Sequence, residues 1–157
     1  MVERLSVGAF IRNREGKYLL LETQAKIGKT IEKYWDIPKG GVERGENLIK
    51  ALKRELREEL GTNKFGKIKK LNINFSFNFP AEVKKRIGFD SQRVELFFVE
   101  FYGKNKDIKV DKKEIVNFIF VDEKEFLQKA SYETTREAFQ KFLKLTKSLT
   151  QKPQPHR

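Results

Sequence analysis

Cysteine is absent from the 157 residues, and the only histidine, His156, lies in the terminal run QKPQPHR. Disulfides and thiolate zinc sites are therefore excluded. The body of the chain has no histidine to serve as a base or to build a His-rich metal centre. Any metal would be a hard cation held by oxygen. Long apolar runs are missing as well. The opening segment MVERLSVGAFIRNREGK is broken by Arg12 and Arg14. It reads as neither a signal peptide nor a membrane span, and no later run approaches the ~20 apolar residues that a crossing helix needs. The expectation is a cytoplasmic protein with no membrane partner.

Aromatic residues and positive charge are plentiful. Phenylalanine alone accounts for 14 residues, which is too much apolar bulk for a disordered chain. The length suits one domain with a substantial core. Lys and Arg total 34 against 22 Asp and Glu, a formal net charge of +12. Such an excess favours a polyanionic partner such as phosphates, nucleic acid or an acidic surface. A lysine-rich or heat-adapted surface would give the same count.

Ser6 to Arg12 and Lys17 to Thr23 read as strands around the turn Asn13-Arg14-Glu15-Gly16. A polar loop bearing Lys26, Lys29 and Lys33 follows. Tyr34 to Pro38 is extended, because the residue before proline is pushed toward β. Gly40, Gly41 and Gly45 mark an irregular loop. A helix runs from near Asn47 to Leu60, with Gly61 as its C-cap. Leu71 to Phe79 alternates strictly, which predicts a strand with one buried face. Pro80 to Arg93 is a basic loop or short helix. Val94 to Phe101 is nearly apolar, as a central strand would be. Ile115 to Val121 is a further strand, and Asp122 with Glu125 opens a short helix. A longer helix begins at Ser131, with Tyr132, Phe139, Phe142, Leu143 and Leu149 on one side. The pattern predicts a single α+β domain over 1–150, a mixed β-sheet packed by helices, and a loose tail at 151–157.

One helix poses a problem. At about 100° per residue from Leu48, Leu52, Ile49 and Leu60 spread over roughly the next 120°. Lys50, Lys53, Arg54 and Arg57 gather on the opposite side. Glu55 and Glu59 fall about 20° either side of Leu48, and Glu58 lies beside Glu55. Like charges at these spacings repel, and desolvation adds to the cost. A divalent cation such as Mg²⁺ or Mn²⁺ would remove both penalties. Pairing with nearby Lys and Arg on an ordinary charged surface is the alternative.

The surrounding residues resemble the Nudix box. Gly40, five residues, Glu46, seven residues, then Arg54-Glu55-Leu56, Glu58-Glu59 and Gly61 all fall at that motif's spacing. Thr62 stands where an aliphatic residue is usual. Outside the box, YWDIPKGGVERGE resembles hydrolases of dinucleoside polyphosphates. FNFPAEVKKRI followed by SQRVELFFVEF resembles the branch of bacterial RNA 5′-pyrophosphohydrolases and plant-type diadenosine tetraphosphate hydrolases. Leu96 stands where that branch usually has Trp.

The resemblance implies an α/β/α sandwich and a hydrolase acting on a nucleoside diphosphate linked to another group. It implies Mg²⁺ or Mn²⁺ on Glu55, Glu58 and Glu59, with the main-chain carbonyl of Lys39 adding an oxygen. Arg54 and Glu46 would bind each other, with Gly40 and Gly61 supporting the site. Glu114, just before a strand, is preferred over Glu95 and Glu100 as the carboxylate from outside the box. The base stays open among Glu55, Glu58, Glu59 and Glu114. Lys39, Lys84, Lys85 and Arg93 are candidates to grip phosphates, and Tyr132 is a candidate to stack a base. Dinucleoside polyphosphates come first as substrates and RNA 5′ ends second. A non-catalytic nucleotide- or RNA-binding module is the third reading, and the intact box argues against it.

Overall fold

Alternation within one strand decides the architecture. In β1 (Glu3–Arg12), Val7, Ala9 and Ile11 point into one apolar cluster and Phe10 into another. All four are fully buried, so the sheet is covered on both faces. β6 (Ser91–Phe101) repeats the pattern. Phe97, Val99 and Phe101 join the first cluster, while Val94, Leu96 and Phe98 join the second. The structure is a computed structural model that describes residues 2–150. The expectations for the 151–157 tail and for the Leu149 side chain lie outside the described residues.

β1 and β6 run parallel from Glu3↔Ser91 to Arg12↔Glu100. β5 (Phe65–Asn78) lies antiparallel outside β6, and β4 (Lys39–Gly41) lies antiparallel beside β1. β2 (Tyr18–Ile27) meets β1 only at Arg12↔Tyr18, then runs between β3 (Thr30–Asp36) and β7 (Ile115–Val121). The result is a mixed sheet. α1 (Leu48–Leu60) covers the Val7 face through Ala51, Leu52, Leu56 and Leu60. α3 (Glu123–Lys129) and α4 (Glu133–Thr150) cover the Phe10 face through Phe126, Phe139, Phe142 and Leu143. Phe126 and Phe139 stack at 3.8 Å, and Phe10 meets both edge-on. The expected sandwich of helices about a mixed sheet is the one observed. Among the described residues no helix is long and apolar enough to cross a membrane.

Three local expectations change. The lysine-bearing segment after Thr23 is not a loop. β2 and β3 continue as a hairpin ribbon to Ile27↔Thr30, turning at Gly28 with φ 62°. Its residues from Gln24 to Lys33 are exposed wherever burial is described, so no alternation marks them as strand. β5 starts at Phe65 and not at Leu71. Register shifts between Phe65 and Ile68 and between Lys70 and Asn74 break its period. Ile49, placed in the apolar arc, is 45% exposed, and Ala51 occupies the core in its stead. α2 (Ala81–Ile87) fills the basic segment between β5 and β6.

Candidate active site

α1 is held at both ends by its own sequence. The Asn47 side chain accepts from Lys50 N–H at 2.9 Å, and Gly61 takes the left-handed conformation that closes the helix. With Ala51 in the core, Glu55 and Glu59 lie within the buried arc, flanked by Ala51 and Leu52. Gly40 makes room for Glu55: a Cβ at Gly40 would lie 2.0 Å from the Glu55 carboxyl carbon.

Arg54 ties the preceding loop to this helix. Its Nε and Nη2 donate to the two carboxylate oxygens of Glu46 at 2.8 and 2.9 Å. Nη2 also donates to the Gly41 carbonyl at 2.8 Å, and Nη1 donates to Glu55 Oε1 at 2.8 Å. Glu58 Oε2 is further away, at 3.4 Å. Glu46 in turn accepts from Glu43 N–H at 2.8 Å. The bidentate guanidinium and this N–H hold the Glu46 carboxyl down near pH 2, and the carboxylates hold the Arg54 guanidinium ionised. The expected Arg54–Glu46 pairing is present in full.

Glu59 is in the opposite situation. Its Oε1 is buried and lacks a hydrogen-bond partner. Burial pushes its carboxyl up to about 9, reinforced by Glu55, Glu114 and Asp36. Glu114 comes from the segment before β7. That segment is moored to the end of α1, where Lys109 N–H donates to Leu60 O at 2.8 Å and Asp111 N–H to Glu59 O at 3.2 Å. These bonds use carbonyls that a helix end leaves unpaired.

A cavity of about 480 Å³ opens here, lined by Glu55, Glu58, Glu59 and Glu114 together with Lys39, Gly40 and Gly41. Arg4, Gln92, Asp111 and Lys113 also line it. Sequence reading did not single these four out. Arg4 and Gln92 are strand neighbours across the parallel pair, joined by a 3.3 Å hydrogen bond. Arg4 also lies where a Gly41 side chain would be.

Asp36 is a further residue that sequence reading passed over. It is 4% exposed. Oδ1 accepts from Ile37 N–H and from the Thr135 hydroxyl, both at 2.8 Å. Oδ2 forms an ion pair with Lys39 Nζ at 2.9 Å. The Lys39 ammonium also lies over the rings of Phe77 (5.1 Å), Tyr132 (5.3 Å) and Phe75 (5.9 Å). Tyr132 stacks on Tyr34 at 5.6 Å. Burial and then the Asp36 charge push the Tyr132 hydroxyl up to about 12, so it stays neutral.

Three candidate phosphate contacts are not among the residues lining the cavity. Lys84 and Lys85 lie on α2. Arg93 alternates with Gln92 along β6 and so faces the other way, where it pairs with Glu95 at 3.3 Å and Glu3 at 3.8 Å.

A NUDIX domain model matches residues 2–142. The chain belongs to the Nudix family. A protein named RNA pyrophosphohydrolase from Wolbachia pipientis wMel is 37% identical over 113 residues, covering 69% of this chain and 65% of that protein. The chain thus spans just under two thirds of that relative's length. Among solved structures, the E. coli dihydroneopterin triphosphate pyrophosphohydrolase superposes with a TM-score of 0.72 at 17% identity, covering 92% of this chain and 99% of that one. A C. elegans Ap4A hydrolase binary complex gives 0.67 at 21% identity, covering 92% and 98%. These two likenesses establish the shared fold.

Nudix hydrolases generally use divalent metals. The donor set here suits such an ion: carboxylate oxygens, no sulfur or imidazole, and one buried oxygen without a partner. Among the described residues no three acidic side chains already converge as a finished cage. Arg54 holds one oxygen of Glu55 and approaches one of Glu58.

Proposed function

We propose that this protein is a divalent-metal-dependent pyrophosphohydrolase acting on the 5′-triphosphate end of RNA. The observation that carries the metal-dependent hydrolase reading is Glu59 Oε1, buried without a partner beside Glu55 and Glu114. An oxygen in that position is costly unless a cation meets it. Glu55, Glu59, Glu58 and Glu114 would hold Mg²⁺ or Mn²⁺, with the Lys39 carbonyl as a further oxygen. Bound there, the ion would neutralise phosphate charge and lower the pKa of a coordinated water.

The protein's own task is positioning. Arg54, locked to Glu46 and Gly41, fixes the loop and leaves Glu55 little freedom. Arg4, Lys39 and Lys113 bring positive charge to the cavity wall, where phosphoryl transfer most needs it. Which carboxylate takes the proton of the attacking water is left to Glu55, Glu58, Glu59 and Glu114.

The sequence alone ranks dinucleoside polyphosphates ahead of RNA. The name these relatives carry and the +12 charge favour RNA. The test is one assay with Mg²⁺ comparing 5′-triphosphorylated RNA with diadenosine tetraphosphate, with products identified in ¹⁸O-labelled water. Release of pyrophosphate, or of two orthophosphates, from the RNA supports the proposal. Cleavage of the dinucleotide alone restores the earlier ranking. Activity on neither, with nucleotide binding retained, points to a binding module.

A further inference from the structure

A second cavity, of about 590 Å³, lies at the other end of β1 and β6. Along β1, Arg4 borders the carboxylate cavity and Arg12 borders this one. Eight residues of strand separate them by about 26 Å. Its floor is apolar and closed: Phe98 and Phe142 stack at 5.6 Å with Leu71 beside them, and all three are buried. Leu145 on α4 adds an apolar wall and is 46% exposed.

The rim is cationic. Arg12 lies over the Phe98 ring at 4.8 Å. Lys69 is the registered partner of Phe98 across β5 and β6, and Lys67 lies two residues earlier on the same strand. Lys67 and Lys69 have no ion-pair partner among the described residues. Glu100 is the one carboxylate at the opening and lies 3.8 Å from Arg12. Lys70 also borders the cavity, but its ammonium is paired with Glu95 at 3.2 Å. Three cations against one carboxylate give a positive mouth above an aromatic floor. That combination matches an aromatic ring carrying a negative charge. Base stacking on Phe or beside an Arg plane, with phosphates on lysine, is how single strands are held without sequence preference.

We propose that this trough is a binding site for single-stranded RNA, with one base stacked on the Arg12 guanidinium and against Leu145, and flanking phosphates on Lys67 and Lys69. The chain's own terminal run QKPQPHR is basic, so charge disfavours it as the occupant. The trough stands apart from the carboxylates, and its occupancy does not require the reaction proposed there.

The test uses the full chain, EDTA, and a fluorescent 12-nucleotide RNA with a 5′-hydroxyl end, read by anisotropy. These conditions remove both the metal and the triphosphate, so the result is independent of catalysis. Lys67→Ala/Lys69→Ala should weaken binding by about tenfold or more and reduce the slope of log affinity against log salt by about 1.4. Leu145→Glu should weaken it comparably. Lys26→Ala/Lys29→Ala, an equal charge change on the β2–β3 ribbon, should have little effect. All five positions are on the surface, and a melting curve checks that each variant folds. Equal losses from the ribbon and trough variants, unchanged binding in Leu145→Glu, or equal affinity for duplex RNA would each overturn the proposal.

Discussion

Glu59 makes a testable claim about pH. Without metal its carboxyl titrates at about 9, against an ordinary 4.5. Between those values the folded protein holds a proton that the unfolded chain has released. Stability of the metal-free protein therefore falls as pH rises from about 5 to 9. Thermal melts in EDTA across that range should show this decline, and Glu59→Gln should flatten it while cutting turnover at least ~100-fold. A variant whose melting temperature follows the parent at every pH would remove the argument. Arg54 gives a second residue-scale prediction. Lysine keeps the charge but cannot reproduce a fork that reaches Glu46 twice, Gly41 and Glu55. Arg54→Lys should lower metal affinity or kcat/KM by about 10- to 100-fold, measured by metal titration and steady-state rates. Asp36 shows where reading single residues stops. Its hydroxyl partner, Thr135, is 99 residues away, and no spacing rule links the two.

At the scale of elements, α1 was legible because its signals agree. Asn47, the leucines, the carboxylates and Gly61 all specify one helix in one orientation. Its face was less legible. Wheel geometry ranked Ile49 with the leucines, but the core takes Ala51, which is fully buried, and leaves Ile49 at 45% exposure. The difference is measurable. Leu56→Ala should cost about 2–5 kcal/mol in urea unfolding, while Ile49→Ala should stay within about 0.5 kcal/mol. The β2–β3 ribbon escaped notice for a related reason. A strand pair exposed on both faces carries no hydrophobic period, and Gly28 between Ile27 and Lys29 was its only signal. Arg93, expected from resemblance to lie beside the site, pairs with Glu95 and Glu3, while its neighbour Gln92 lines the cavity.

Across the whole molecule, the cations are not spread at random. Arg4, Lys39 and Lys113 border the carboxylate cavity, and Arg12, Lys67 and Lys69 border the aromatic trough. Long substrates should therefore feel salt more than short ones. Raising salt from ~50 to ~200 mM should depress kcat/KM for triphosphorylated RNA much more than for diadenosine tetraphosphate. Equal salt dependence would make the charge a generic surface property.

The mooring of Lys109 and Asp111 on the last carbonyls of α1 also sets where Glu114 stands. Glu114 takes its distance from the helix through three residues of backbone, not through the whole connection from β6. The stretch from Tyr102 to Ile108 has ties of its own: Tyr102 N–H donates to Lys64 O at 3.0 Å, Lys64 pairs with Asp107 at 3.1 Å, and Ile108 is buried in the core. A single deletion between Lys109 and Glu114 would pull Glu114 out of register with the helix. The helix terminus works as a ruler, measuring the outer carboxylate against the inner ones from a fixed zero mark.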